Sequence, residues 1–289
     1  NLAKTVLKAV DNNLKHTIVS FIPNTAEIAF YGLIKGLEDY LNEIKLNKIQ
    51  TRGKDMSDEE MLELISRRVR IEKIAIKDVK MRTFITEDSA RDEMVQHVYD
   101  ITYGTVEAGV DTLVVIDDSI VRGTTLKESI IKMLDRLQPK RIIIVSSAPQ
   151  IRYPDCYGID MSRMGDFIAF RATVELLKDR KMETVLDEVY NQCKQAEENG
   201  TLDDTNYVKA VYEPFTAEEI SKKTAEMLRP SDVNAEVDII YQSIEGLRDA
   251  CPNNSGDWYF TGNYPTKGGN RVANKAFMNY VDKKGGRGY

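Results

Sequence analysis

Histidine, tryptophan and cysteine are scarce in this chain of 289 residues, which contains two, one and three of them. Cys156, Cys193 and Cys251 lie far apart and form no CxxC pair, so neither a disulfide framework nor a zinc site is expected and the thiols read as reduced. His16 precedes a strand-like run and His97 sits among helical residues, which favours structural or exposed roles over catalysis for both. No apolar run approaches membrane-spanning length and no signal peptide opens the chain, so a membrane partner is not expected and the cytoplasm is the expected compartment. A basic surface is missing too. Lys and Arg number 40 against 46 Asp and Glu, and the formal charge of −6 argues against nucleic acid as a main partner. Internal repeats and long low-complexity tracts are absent from the sequence.

What remains is an ordinary globular composition, 42% hydrophobic and 30% charged. Strand-like and helix-like stretches alternate, which predicts an α/β unit with a central, mainly parallel sheet flanked by helices. Thr17 to Ile22, Arg82 to Ile85, Leu113 to Ile116, Arg141 to Ser147 and Phe167 to Phe170 are the strand candidates, with Tyr207 to Tyr212 a late one. Ile28 to Tyr40 has helical spacing, after which the pattern loosens. Ser57 to Glu60 fits a capping box, predicting an independent helix inside an insertion from about 42 to 78, and Thr216 to Glu219 fits another ahead of a helix that stops at Arg229-Pro230. Thr125 to Leu137 reads as a crossover helix. Val174 to Leu177 and Val185 to Glu197 are helical, as is a stretch near Val272 to Val281, and the tail from Lys283 to Tyr289 reads as disordered.

The run from Val114 to Thr125, VVIDDSIVRGTT, carries the chemistry. A buried strand delivers two carboxylates, Asp117 and Asp118, and a turn through Gly123 then brings Thr124 and Thr125 to a helix start. Unpaired N–H groups and the positive dipole end at such a start hold a phosphate, while adjacent carboxylates suit sugar hydroxyls or a hydrated Mg²⁺. Helix capping alone does not require two acids, a glycine and two threonines together.

This run resembles the phosphoribosyl diphosphate (PRPP) motif of type I phosphoribosyltransferases, and its DDSIVRGTT wording is similar to that of the glutamine PRPP amidotransferase family. Ser147-Ala148-Pro149, Ile151-Arg152, Tyr157-Gly158-Ile159-Asp160-Met161 and Thr261-Gly262-Asn263-Tyr264-Pro265-Thr266 match the same family in the same order. The resemblance implies a type I phosphoribosyltransferase fold over residues 1–230, with a helical C-terminal extension over 231–289. It implies displacement of pyrophosphate from PRPP by ammonia, with Mg²⁺ as cofactor. Asp117 and Asp118 would hold the ribose hydroxyls or the Mg²⁺ shell, and Ser119, Ile120, Val121, Arg122, Gly123, Thr124 and Thr125 would cradle the 5′-phosphate. Asn24 and Thr25, in the loop after the first strand, would approach the pyrophosphate. Arg82, in the preserved Arg82-Thr83-Phe84-Ile85 core, would supply a lid cation, and Arg152 would face the active site or an inhibitor site.

The departures are as informative. Asn24 and Ala26 replace the family's acid and serine at the pyrophosphate loop. Glu87, Asp88, Asp92 and Glu93 follow the RTFI core where the family carries cations, and negative charge there opposes a diphosphate. They keep a second reading open, a catalytically weakened PRPP- or nucleotide-binding regulatory module. Some members of the resembled family carry an iron–sulfur cluster with a CxxC just before the FTG segment; here that place reads Cys251-Pro252-Asn253-Asn254, so no cluster is expected. The chain opens at Asn1, without the terminal cysteine of a glutaminase. It reads as a piece of a longer protein whose preceding glutaminase domain supplies ammonia, and the resemblance implies a homo-oligomer.

Overall fold

The computed structural model describes residues 2–23, 25–77, 99–157, 161–254 and 256–283. The chain divides into two compact units: Asn1–Asp118 with Lys127–Ser147 and Pro230–Ile240, and Ser119–Leu126 with Ala148–Arg229 and Tyr241–Tyr289.

The first unit is built on a five-stranded sheet ordered β2 (Arg70–Ile71), β1 (Thr17–Phe21), β5 (Thr112–Asp117), β6 (Arg141–Ser146) and β7 (Glu236–Tyr241). The β1–β2, β1–β5 and β5–β6 ladders are parallel. β3 (Ala75–Lys77) and β4 (Tyr99–Ile101) form a separate antiparallel pair. Continuous apolar runs make the central strands because both faces are covered: Leu113 to Ile116 and Ile142 to Val145 are all buried. Each such side chain contributes roughly 1.5–3 kcal/mol on burial, so these two strands anchor the unit. β1 exits toward β2 on one side while β5 continues to β6 on the other. The chain direction therefore diverges between β1 and β5, and a ligand crevice in such a sheet opens at their carboxyl ends. At the opposite ends, the buried Asp111 carboxylate takes two hydrogen bonds from Arg70, at 2.6 and 2.9 Å, and one from Glu107 N at 2.8 Å, which ties β2 to the entrance of β5.

The helix from Glu27 runs to Arg52, past the point where the apolar pattern loosens. Phe30, Leu33, Leu37, Leu41 and Lys45 form its buried stripe, and the pattern fades because a lysine takes the last core position, its Nζ donating to Arg67 O at 2.6 Å. The predicted capping boxes are both present, Ser57 with Glu60 ahead of Asp58–Ser66 and Thr216 with Glu219 ahead of Ala217–Leu228.

In the second unit, helices Ile168–Asp179, Thr184–Glu198, Ala217–Leu228 and Lys267–Val281 enclose an aromatic core around Phe167, Phe170, Tyr212 and Phe277. Two strand expectations are corrected here. Phe167 to Phe170 is the entry to a helix, since Phe170, Val174 and Leu177 repeat at helical spacing and are buried together. Tyr207 to Tyr212 closes in a helical turn, Lys209–Tyr212, with Val208 and Val211 buried three residues apart. A four- to six-residue apolar run carries too little periodicity to separate the two cases.

Candidate functional site at the strand ends

In the first unit the site begins where β1 and β5 end side by side. Phe21 pairs with Ile116, and Ile22 N donates to Ile116 O at 2.8 Å, so the Pro23 to Ala26 turn starts next to the Asp117-Asp118 step. Asn24 and the lid candidate Arg82 lie outside the described residues, as do His97, the Arg82 to Ile85 strand candidate and Gly158, Ile159 and Asp160 of the YGIDM match. Thr25 is exposed. Ala26 is fully buried at the helix start and makes no side-chain cap there, so its methyl serves packing alone.

Asp117 is the last residue of β5 and Asp118 the first beyond it. Asp117 Oδ1 accepts from Asp118 N at 2.9 Å. The end of β6 braces both: Ser147 N donates to Asp117 O at 2.9 Å, and Ser147 Oγ to Asp118 O at 3.0 Å. Sequence reasoning grouped Ser147 with a downstream motif and missed this bracing role, although its place at the end of an apolar strand run was the available signal. Burial pushes the Asp117 carboxyl up to about 7, and the neighbouring Asp118 charge pushes the same way. A half-buried carboxylate held against a second one gains from either a proton or a divalent cation. An all-oxygen donor pair of this kind fits Mg²⁺ that keeps several of its waters.

In the second unit the chain turns through Ser119 to Gly123 and enters a helix at Thr124. Ile120 is buried and fixes the turn. Gly123 has φ +74°, and a Cβ there would lie 2.6 Å from the Leu228 side chain, so both backbone angle and space demand glycine. The backbone just before the glycine is pinned: Val121 O accepts from Ile168 N at 2.8 Å, and Arg122 O from Arg171 Nη2 at 2.7 Å. Thr124 is exposed and Thr125 half-buried at the helix start, whose first N–H groups have no carbonyl one turn back. The helix continues through a π-turn at Leu126–Ile130, an irregularity frequent at functional sites. Arg122 reaches Asp166 at 3.1 Å in an exposed ion pair. Such a pair is worth under about 1 kcal/mol and leaves the guanidinium available to a stronger anion.

The downstream motifs converge on one another in the same unit. Arg152 N and Tyr153 N donate to Tyr259 O at 2.8 and 3.1 Å, Tyr212 OH to Arg152 O at 2.6 Å, and Tyr264 OH to Pro154 O at 2.8 Å. The Arg152 guanidinium donates to Gln150 Oε1 and stacks 5.3 Å from the Tyr212 ring. Its observed partners therefore knit the loop together. Gly262 ends the Trp258–Thr261 turn with φ +69°, and a Cβ on it would meet Asn206 Nδ2 at 2.6 Å.

Among the described residues one group of three potential metal ligands stands elsewhere: His16, Glu107 and Asp111, with ligand atoms within 4.8 Å. It lies at the entering ends of β1 and β5, and Arg70 already neutralises Asp111, so it reads as a structural knot. No described helix is long and apolar enough to cross a membrane.

No protein-family model matches the chain. An amidophosphoribosyltransferase of Saccharomyces cerevisiae is 34% identical over 136 residues, which is 44% of this chain and 26% of the yeast protein. That of Escherichia coli is 42% identical over 66 residues, 23% of this chain and 13% of the bacterial one. That of Pasteurella multocida is 46% identical over 63 residues, 22% and 12%. The chain thus matches about a quarter of these relatives' length or less. Among solved structures, a glutamine PRPP amidotransferase from B. subtilis complexed with ADP and GMP aligns at 20% identity and a TM-score of 0.40, covering 86% of this chain and 38% of that one. The structure of an allosteric regulatory enzyme of purine biosynthesis aligns at 21% and 0.43, covering 92% and 40%.

Proposed function

We propose that this chain, a relative of the amidophosphoribosyltransferases, is their phosphoribosyltransferase part: it binds PRPP and transfers ammonia to C1 of the sugar, giving 5-phosphoribosylamine and pyrophosphate. The C1–N bond forms as the C1–O bond to pyrophosphate breaks, with inversion at C1, and the ammonium proton goes to solvent. One observation carries the reading. The segment Asp117 to Thr125 runs from the carboxyl end of a central strand, through a glycine turn held at φ +74°, into a helix start.

In this reading Asp117 and Asp118 hold the ribose hydroxyls or the Mg²⁺ shell. The backbone from Ser119 to Gly123, with Arg122, Thr124 and Thr125, receives the 5′-phosphate, and Asn24 and Thr25 approach the pyrophosphate with Arg82 as lid cation. Mg²⁺, when bound, offsets charge on the departing pyrophosphate. The protein's share is positioning and electrostatic stabilisation, because neutral ammonia is already nucleophilic and the transition state resembles an oxocarbenium ion. In the longer protein the ammonia would come from a glutaminase domain, within a cytoplasmic homo-oligomer. The curated relatives' names and the motif order support this assignment.

A second reading, a PRPP- or nucleotide-binding regulatory module with little turnover, draws on Ala26, whose buried methyl offers no oxygen beside the strand ends. One assay separates the two. The chain incubated with PRPP, Mg²⁺ and an ammonium salt releases pyrophosphate in the first reading, and Asp117→Asn lowers that rate at least about a hundredfold, a loss of roughly 3 kcal/mol of transition-state stabilisation. Binding of PRPP without release supports the regulatory module, and no binding removes both.

A further inference from the structure

Within the second unit, one short stretch of chain, Asp166 to Arg171, sets the phosphate turn through contacts that all fall on Val121 and Arg122. Ile168 N donates to Val121 O at 2.8 Å, Arg171 Nη2 donates to Arg122 O at 2.7 Å, and the Arg122 guanidinium meets Asp166 at 3.1 Å. The stretch is a rigid base for these contacts. Phe167, Ile168 and Phe170 are buried where the Ile168–Asp179 helix begins, and the Phe170 ring packs edge-on against Phe277 and Tyr280.

A peptide group is planar and trans, so its C=O and the N–H that follows point in opposite directions. Holding the carbonyls of Val121 and Arg122 against the helix therefore turns the N–H groups of Arg122 and Gly123 away from it. Among the described residues neither of those N–H groups has an acceptor, while both carbonyls are satisfied. Successive N–H groups left open on one side of a turn make a concave seat for an anion. The Arg171 contact is also made at a cost, because its Nε is buried without an acceptor, a loss that a side chain swung into solvent would avoid. We propose that Arg171 is the positioning residue of the phosphate turn: without touching the ligand, it holds Arg122 O and so aims the Gly123 N–H at the 5′-phosphate. This rests on the proposed function and deepens it, since it assigns the aim of the motif's own backbone to a side chain 49 residues from Arg122 in the chain.

Calorimetric titration of the 289-residue chain with ribose 5-phosphate tests it. Arg171→Met keeps an unbranched side chain and removes the donors; it weakens binding at least about tenfold, with a melting temperature close to that of the wild type because the half-buried side chain gives up one hydrogen bond. Arg171→Lys, which keeps a donor for Arg122 O, binds more tightly than Arg171→Met. In chain carrying isotopically labelled glycine, saturating ribose 5-phosphate moves the Gly123 amide proton downfield in the wild type and moves it less in Arg171→Met, a difference that a mere loss of stability does not produce. In turnover with PRPP and an ammonium salt the loss falls on KM and leaves kcat nearly unchanged, since the 5′-phosphate is held equally before and during the reaction at C1. Equal affinity of wild type and Arg171→Met, an Arg171→Lys variant no tighter than Arg171→Met, or the same Gly123 shift in both would overturn the proposal and leave the proposed function standing. A wild type that binds no ribose 5-phosphate removes the proposed function and this inference with it.

Discussion

Asp117 concentrates the electrostatic tension of the site. Its carboxyl is raised from 3.8 to about 7, so between those values the folded protein holds a proton that the unfolded chain has released, and stability falls as pH rises through this window. The destabilisation is absent below about pH 4 and complete above about pH 7, with an upper bound of about 4 kcal/mol. An amide at this position has no proton to lose over that range. In metal-free buffer, Asp117→Asn is therefore expected to match the wild type at pH 4 and to melt several degrees higher at pH 8, by calorimetry at both pH values; equal melting at pH 8 would refute the assigned burial. At Gly123 the expectation is the reverse. Gly123→Ala forces an L side chain into φ +74° against Leu228, and should cost about 1–2 kcal/mol in chemical denaturation while weakening inorganic phosphate binding at least about tenfold.

At the scale of elements, legibility followed periodicity. The apolar runs of β5 and β6 and the two capping boxes were readable because each is a local pattern with a single physical meaning. β7 escaped notice because Glu236 and Asp238 interrupt its apolar residues; Asp238 pairs with Arg141 of β6, a contact 97 residues away in the chain. Lys45 concealed the continuation of the first long helix for a related reason, its charge being satisfied by a distant carbonyl. The motif residues were found by their type, but the bracing of Asp117 and Asp118 by Ser147 depends on the β5–β6 register. The knot of Arg70 and Asp111 likewise lies across strands, and an amide in place of the buried acid removes its charge and one of the two acceptor oxygens, while Arg70 keeps its bonds to Lys15 O and Thr105 O. Asp111→Asn should cost about 1–2 kcal/mol in urea denaturation, a lost charge-assisted bond to a part-exposed guanidinium, without changing phosphate affinity, because it sits at the strand ends away from Asp117.

At the scale of the molecule, sequence order conceals how the chain is partitioned. The first unit is assembled from three separate segments, and the motif itself straddles a boundary, with Asp117 and Asp118 in one unit and Ser119 to Thr125 in the other. The account stands on the claim that the turn from Ser119 to Thr125 is an anion seat. A crystal structure of the chain soaked with ribose 5-phosphate and Mg²⁺ tests it most directly. The account predicts phosphate density within hydrogen-bond distance of the Gly123 to Thr125 backbone N–H groups, with the ribose hydroxyls toward Asp117 and Asp118. Ligand density elsewhere, with that turn bearing no phosphate at saturating concentration, would contradict it.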